Sequence, residues 1–387
     1  MPPLPPLELE LARLADASRL RALCLLDGSS RAHPLRDGRA LRSFASNDYL
    51  GLANHPAIVR AAGEAAERHG FGAGAARLVT GHLPPHRDLE EILASLVTLP
   101  AALLFPTGYQ ANLGVLTSLA GPDDLIASDQ LNHASIIDGC RLSRARIAVY
   151  RHADADAARA ALNTSGAFRH RFLVTESLFS MDGDRAPLPA LAAATAQARA
   201  TLIVDEAHAL GVFGSAGRGL CHAAGVTPDV LVGTLGKAFG SLGGFVAGSS
   251  VLRDFLINRS RPFIYTTGTP APVAAAALAA VQISLSPEGD ARRRLLQDAI
   301  DRLHAALRPL PLPRSLPPPG PIVPIVVGSD AAVLALSQRL AAADLFVPAI
   351  RPPTVPEGSA RLRVTLSANH RAEDLDHLTS VLGSALR

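Results

Sequence analysis

Short apolar runs recur along the middle of this chain, and stretches with helical spacing separate most of them. The runs fall at 101–105, 124–127, 147–150, 172–175, 202–205, 230–232 and 245–248. They are nearly continuous in hydrophobicity, not alternating. A strand that is apolar on both sides is buried on both faces, which is the pattern of a mostly parallel sheet with helices packed above and below. Ligands of such sheets bind at the carboxyl ends of the strands. Before these runs the pattern predicts helices over 7–26, 56–70 and 85–99, a short strand at 41–44 and a glycine loop at 70–74. The Ala-rich run 270–284 is too short to read as a bilayer span and opens with a proline, as helices do; it reads as a buried helix.

After residue 284 the pattern changes. A helix over 290–307 leads through a Pro-rich connection to strands at 322–327, 346–350 and 362–366, with helices at 331–343 and 372–386. The expected fold class is therefore α/β, with a large, mostly parallel sheet domain and a smaller C-terminal α/β domain. The expected organisation is an N-terminal arm over 1–50, a large domain over 51–284 and a small domain over 285–387.

Composition supports a core, with 48% hydrophobic and 18% charged residues. A formal charge of +3 spread over 387 residues does not point to nucleic acid, though it tolerates a polyanionic substrate. Cys24, Cys140 and Cys221 are far apart and odd in number, which argues against a disulfide framework or a zinc site and suits a reducing cytoplasm. The opening Met1-Pro2-Pro3-Leu4 has no basic or apolar signal region, so it does not read as secretory, and no membrane association is expected.

One residue changes the picture. Of 37 Lys and Arg residues, 36 are Arg, and the single lysine is Lys237. It lies in Gly233-Thr234-Leu235-Gly236-Lys237-Ala238-Phe239-Gly240, and no other charged residue occurs between Asp229 and Arg253. A lysine amine can lose its proton and attack a carbonyl, whereas a guanidinium in practice cannot. The bland alternative is a compositional leftover.

Asp205 ends the apolar run 202–205, and His208 follows three residues later. A carboxylate at a buried strand tip needs a partner, as a helix cap, a metal ligand or a counter-charge. Joined to Lys237 it suggests pyridoxal phosphate, which needs a lysine for its aldehyde and an acid opposite its ring nitrogen. Such an ion pair at ~4 Å is worth about 4 kcal/mol at an effective dielectric near 20, before desolvation. Gly108 lies in Pro106-Thr107-Gly108-Tyr109-Gln110, between a strand and a helix, where backbone N–H groups can hold a phosphate; a plain turn is the alternative. Thr234 is placed to add a hydroxyl. His133, just after another strand end, is either a capping residue or a ring that stacks on a flat cofactor.

Taken together, Ser46-Asn47-Asp48-Tyr49-Leu50-Gly51, Glu176-Ser177-Leu178-Phe179-Ser180-Met181-Asp182-Gly183-Asp184, Asp205-Glu206-Ala207-His208 and Thr234-Leu235-Gly236-Lys237 resemble the α-oxoamine synthases in order and spacing. These are fold-type I pyridoxal-phosphate enzymes that condense an amino acid with an acyl thioester and release CO2. The segment Ile350-Arg351-Pro352-Pro353-Thr354-Val355-Pro356 is most similar to the biotin-pathway member, which uses L-alanine and a pimeloyl thioester carried by CoA or a carrier protein.

The resemblance implies that Lys237 bonds the cofactor and later moves the Cα proton, that His133 stacks on the ring, that Asp205 faces the ring nitrogen and that His208 meets the ring hydroxyl. It implies that Gly108, Tyr109 and Thr234 take the phosphate and that Ser180 contacts the cofactor. Arg351 would pair with the alanine carboxylate, and Arg21, Asn47, His133 and Thr354 would meet substrate, with Glu176 a further candidate. It also implies a homodimer with shared sites, in which Thr266 and Thr267 reach the partner's phosphate. No metal is expected.

Two departures stand out. The glycine loop reads Gly72-Ala73-Gly74-Ala75-Ala76-Arg77, where relatives carry more glycine and a serine, and Ala209 replaces the usual Gly or Ser. Rival readings are a glycine- or serine-using member of the same family (2-amino-3-ketobutyrate ligase, 5-aminolevulinate synthase or serine palmitoyltransferase), an aminotransferase, and a non-catalytic binding protein on the same scaffold.

Overall fold

Seven strands form one sheet in the order Ala101–Phe105, Gly244–Gly248, Val230–Thr234, Thr201–Asp205, Arg171–Glu176, Leu125–Asp129 and Arg146–Tyr150. This is seen in a computed structural model that describes residues 5–28, 32–312 and 314–386. Met1 to Leu4, whose sequence was read above, lie outside the described residues. Gly244–Gly248 runs antiparallel to both of its neighbours and every other pairing is parallel, which is the mostly parallel sheet the apolar runs predict. Three of the seven strands are buried along their whole length and three more at all but one position, so continuous hydrophobicity is the right signature.

The sheet belongs to a unit comprising Asp48–Ser180 and Asp184–Arg293. Its core joins Leu103, Phe105, Ile126, Val174, Ile203 and Val232 of the strands to Ala111, Val115, Leu116, Ile136 and Phe263 of the flanking helices. The Ala-rich run forms the helix Ala271–Ser284, with Ala274, Ala277, Ala280 and Val281 fully enclosed. Its small side chains let it pack closely on the helices Pro56–His69 and Pro84–Leu96. No described helix is long and apolar enough to cross a membrane.

A second unit comprises Met1–Asn47, Met181–Gly183 and Arg294–Arg387. The N-terminal arm and the C-terminal domain, read separately from the sequence, share it. Arg42–Ser43 pairs in parallel with Leu345–Phe346, and Thr365 N–H donates to the Phe44 carbonyl at 2.8 Å. A three-stranded antiparallel sheet orders Ile322–Gly328, Ala360–Thr365 and Ala349–Ile350.

Two expected elements differ. The strand expected over 346–350 is split into Leu345–Phe346 and Ala349–Ile350, because Pro348 between them has no N–H to continue a ladder. The helix expected over 7–26 is only Leu7–Asp16. Ser18 adopts a left-handed φ of 57°, and beyond it Arg19 pairs with Asp330 at 2.8 Å while the carbonyls of Ser18 and Leu20 accept from Arg351. A continuing helix would have consumed those carbonyls internally.

Candidate active site

The candidate residues of the sheet unit gather along one edge, at the carboxyl ends of its parallel strands. Gly108 follows the strand Ala101–Phe105, His133 follows Leu125–Asp129, Ser180 follows Arg171–Glu176, Asp205 ends Thr201–Asp205 and Lys237 follows Val230–Thr234. Parallel pairing aligns these ends. Glu176 and Asp205 are register partners on neighbouring strands.

Lys237 Nζ lies 2.8 Å from His208 Nε2, and His208 Nδ1 lies 2.6 Å from the Tyr49 hydroxyl. Lys237 is half-buried, whereas His208 and Tyr49 are enclosed. Asp205 is buried, with Oδ2 accepting from Asn112 Nδ2 at 2.7 Å and Oδ1 accepting from Ala207 N–H at 2.8 Å. Asn112 also donates to Ser135 Oγ at 3.0 Å, and Ser135 meets His133 Nδ1 at 2.8 Å. Through these bonds the carboxylate, the amide and the imidazole are fixed relative to one another. His133 caps the helix Ala134–Ser143, so the capping alternative is realised, yet its ring remains exposed along the edge. Partial loss of hydration beside the neighbouring strand ends holds its pKa below the usual imidazole value, with Asp205 and Lys237 acting in opposite senses.

Two further carboxyls flank Asp205. Glu176 is enclosed, its Oε1 has no hydrogen-bond partner among the described residues, and burial followed by repulsion from Asp205 raises its pKa. The N–H groups of His133 and Ser180 bond the same carboxyl, so Glu176 ties those two loops together. Glu206 is fully buried and accepts from the N–H groups of Leu220 and Cys221, each at 3.1 Å. Burial pushes its pKa up to about 7, against those bonds and the Ser177 hydroxyl.

The candidate anion-binding end is the start of the helix Gly108–Leu119. Thr107 caps it, accepting from Gln110 N–H at 3.1 Å, while the N–H groups of Gly108 and Tyr109 have no intrahelical acceptor. A Cβ on Gly108 would stand 3.6 Å from Thr234 Oγ1, so the hydroxyl faces the helix start. Gly244 closes the cradle from below, since a Cβ there would reach within 2.4 Å of Gly108 N. Thr234 also donates to the Gly243 carbonyl at 2.9 Å. The Tyr109 side chain is exposed and bonds Asp138, so its backbone, not its phenol, lies at the cradle. Thr267 pairs with Ala76, and Thr266 is half-buried near Arg77 and Pro106. In the glycine loop the left-handed positions are Gly70 and Gly74, so Ala75 and Ala76 occupy ordinary backbone.

The remaining candidates lie in the other unit and form their own cluster. Arg351 is almost enclosed, donates to the carbonyls of Ser18 and Leu20, and has a buried Nε without a partner among the described residues. Burial and the nearby Arg21 lower its pKa. Arg21 donates to the Pro352 carbonyl at 3.2 Å and approaches Thr354 Oγ1 at 3.5 Å. Asn47 Oδ1 accepts from Arg363 Nη1 at 3.1 Å.

Sequence reasoning quoted Tyr49 and Glu206 inside motifs but gave them no role, and it did not single out Asn112. Nor did it single out His152, whose ring bridges Asp129 at 2.9 Å and Asp184 at 2.8 Å. A polar residue inside an apolar helix, such as Asn112, was the available signal; the partners of Tyr49 and His152 are far away in the chain.

An amine beside an imidazole, a fixed carboxylate, an open imidazole and an N–H cradle are the donor set that pyridoxal phosphate requires, so the residues present fit that group. Residues 41–382 match the family model described as aminotransferase class I and II. The chain is 48% identical over 374 residues to the 8-amino-7-oxononanoate synthase of Methylococcus capsulatus, covering 96% of this chain and 95% of that protein. It is 49% identical over 383 residues to that of Halorhodospira halophila, covering 97% and 94%. Among solved structures, a serine palmitoyltransferase described with a PLP internal aldimine matches with a TM-score of 0.91 at 28% identity, covering 98% of this chain and 96% of that one.

Proposed function

Because the chain belongs to the aminotransferase class I and II family and, within it, to the 8-amino-7-oxononanoate synthases, we propose that it condenses L-alanine with a pimeloyl thioester, releasing CO2 and free thiol. The product is 8-amino-7-oxononanoate, a precursor of biotin. The observation that carries the chemistry is the single lysine amine, 2.8 Å from His208 Nε2 on the edge where Asp205 is fixed. Pyridoxal phosphate, when bound, supplies the sink for electrons released at the amino-acid Cα.

The chain's own residues do the rest. Asp205, held by Asn112 and Ala207, would keep a proton on the ring nitrogen, and His133 would stack on the ring. His208 would hold the ring hydroxyl. Gly108, Tyr109 and Thr234 would take the phosphate, with Ser180 beside the cofactor. Lys237 Nζ would remove the Cα proton, which requires a neutral amine in a water-poor segment. Arg351 would orient the alanine carboxylate through a planar fork, with Arg21, Asn47 and Thr354 around it. The substrate must then displace the Ser18 and Leu20 carbonyls from Arg351 or use its free Nε. A homodimer in the cytoplasm, with Thr266 and Thr267 serving the partner's phosphate, completes the reading.

The test is thiol release from pimeloyl-CoA with L-alanine, run beside Lys237→Arg. Alanine-dependent release should be lost in the variant by at least ~10³-fold. Borohydride reduction of the holoenzyme should place one pyridoxyl group on Lys237. Activity surviving in the variant, or glycine or serine supporting far faster turnover than alanine, would overturn the assignment.

A further inference from the structure

Tyr49 places an enclosed hydroxyl one imidazole away from the lysine. Its side chain is 0% exposed, its hydroxyl lies 2.6 Å from His208 Nδ1, and His208 Nε2 lies 2.8 Å from Lys237 Nζ. The three groups form one hydrogen-bonded line. Several contacts fix the Tyr49 turn. Asp48 accepts from Leu52 and Ala53 N–H at 2.8 and 3.0 Å, and Arg292 donates to the Leu50 carbonyl at 3.0 Å. Gly240, with φ of 59°, leaves room for this turn, since a Cβ there would lie 2.3 Å from Ala53 N. Gly211 sits similarly between Ala238 and Leu50.

A neutral imidazole carries one N–H and one lone pair, so the bond at one nitrogen dictates what the other offers. A phenol that donates into Nδ1 leaves the proton on Nε2. Nε2–H then donates into the lone pair of whatever faces it, which here is Lys237 Nζ, and an amine that accepts a hydrogen bond is one without its extra proton. Glu176 and His133 also act electrostatically on this amine, with Asp205 beside both of them, and the carboxylates favour its charged form, so the imidazole bond works against them. We propose that Tyr49 is a positioning residue that fixes His208 as the Nε2–H tautomer and thereby favours the unprotonated form of Lys237. The inference rests on Lys237 being the reacting amine, but its test needs neither cofactor nor substrate.

With one lysine in the chain, trace labelling of the full-length, cofactor-free protein by acetic anhydride reads the protonation of that amine directly. Mass spectrometry of the Lys237 peptide against pH, with free phenylalanine as internal standard, gives a labelling midpoint. In Tyr49→Phe the ring is released to present a lone pair to an ammonium. The midpoint should then rise by about one pH unit, and labelling at pH 7 should slow up to ~10-fold. In a His208→Phe background, Tyr49→Phe should move the midpoint no further. Should Tyr49→Phe not fold, 3-fluorotyrosine at position 49 keeps the packing and strengthens the donor, and the midpoint should fall. An unmoved midpoint in the fluorotyrosine protein, a lowered one in Tyr49→Phe, or the same shift without His208 would each overturn the proposal. Failure of thiol release with an intact labelling response would instead count against the proposed reaction alone.

Discussion

The two edges of the seven-stranded sheet carry different kinds of space. At the amino ends of the parallel strands lies an open cavity of about 800 Å³, lined among others by Leu119, Phe172, Leu252, Phe255, Arg169 and Arg259. At the carboxyl ends, Lys237 bonds His208 and His208 bonds Tyr49, while Asn112 bonds Asp205. Volume is therefore a poor guide to chemistry here. On the amino edge Arg169 is neutralised by Asp124 at 2.6 Å, and Asp124 also accepts from the N–H groups of Gly121 and His170. That arrangement closes a turn. On the carboxyl edge, polar groups from four chain segments come together, and parallel strands help because all their ends finish on the same side.

The sharpest way to break the comparison is to remove one charge from each edge. Asp205→Asn keeps the shape and removes the counter-charge for a ring nitrogen, so kcat for thiol release should fall 10²- to 10⁴-fold. Arg259→Ala at the large cavity should leave turnover within about twofold, since that side chain is exposed and far along the strands. Steady-state kinetics on the two variants would decide it. Comparable losses would mean that the amino-edge cavity takes part in the reaction.

Next in size are two stability effects that belong to the carboxyl edge. Gly219 has φ of 97°, and a Cβ there would fall 1.8 Å from Glu206 Oε2. Gly219→Ala should cost about 3 kcal/mol in urea unfolding, by backbone strain and by displacing a fully buried carboxyl. His152 gives a pH signature. Burial pulls its pKa down, but hydrogen bonds to Asp129 and Asp184 outweigh that and raise it to about 10. A folded value above the unfolded one, near 6.5, means that its contribution is fully present below pH ~6.5 and is lost progressively as pH rises toward 10. The stability gap between the wild type and His152→Gln should thus be on the order of 3 kcal/mol at pH 6 and shrink across that window. A gap independent of pH would show that the ring acts by packing against Phe179, its edge-on neighbour at 4.3 Å, and not by charge.

What was legible in the sequence follows from the same contrast. The strand 101–105 was read with its observed bounds, and the other six within two residues, because burial on both faces writes a continuous apolar run into the chain. The placement of Lys237, Asp205, His133 and Gly108 followed, since a residue just past such a run must lie at a strand's carboxyl end. Tyr49 was different: its partner His208 is 159 residues away, and no local period records that pairing. The same holds for His152, whose two carboxylates lie 23 and 32 residues away. The overlong N-terminal helix fails for a related reason. Apolar spacing continues to residue 26, but Leu23 and Leu25 are exposed, and the backbone carbonyls between them and the helix serve Arg351 instead.

The smallest effect compares like with like on the two edges. Thr107 caps the helix Gly108–Leu119 by accepting from Gln110 N–H at 3.1 Å, and Ser249 caps the helix Ser250–Arg259 by accepting from Leu252 N–H at 3.1 Å. The hydroxyls, the bonds and the helix lengths are closely matched, so Thr107→Ala and Ser249→Ala should each cost about 1 kcal/mol in urea unfolding of the cofactor-free protein. Only the first helix start faces Thr234 and lies on the edge with Lys237. Loss of its cap frees the Gln110 N–H and loosens the turn that presents the Gly108 and Tyr109 N–H groups. Affinity for pyridoxal phosphate, followed by absorbance titration, should therefore fall several-fold in Thr107→Ala and stay unchanged in Ser249→Ala. Equal cofactor affinity in the two variants, at equal loss of stability, would remove the phosphate from the start of the helix Gly108–Leu119 and leave the cap a purely structural feature of both edges.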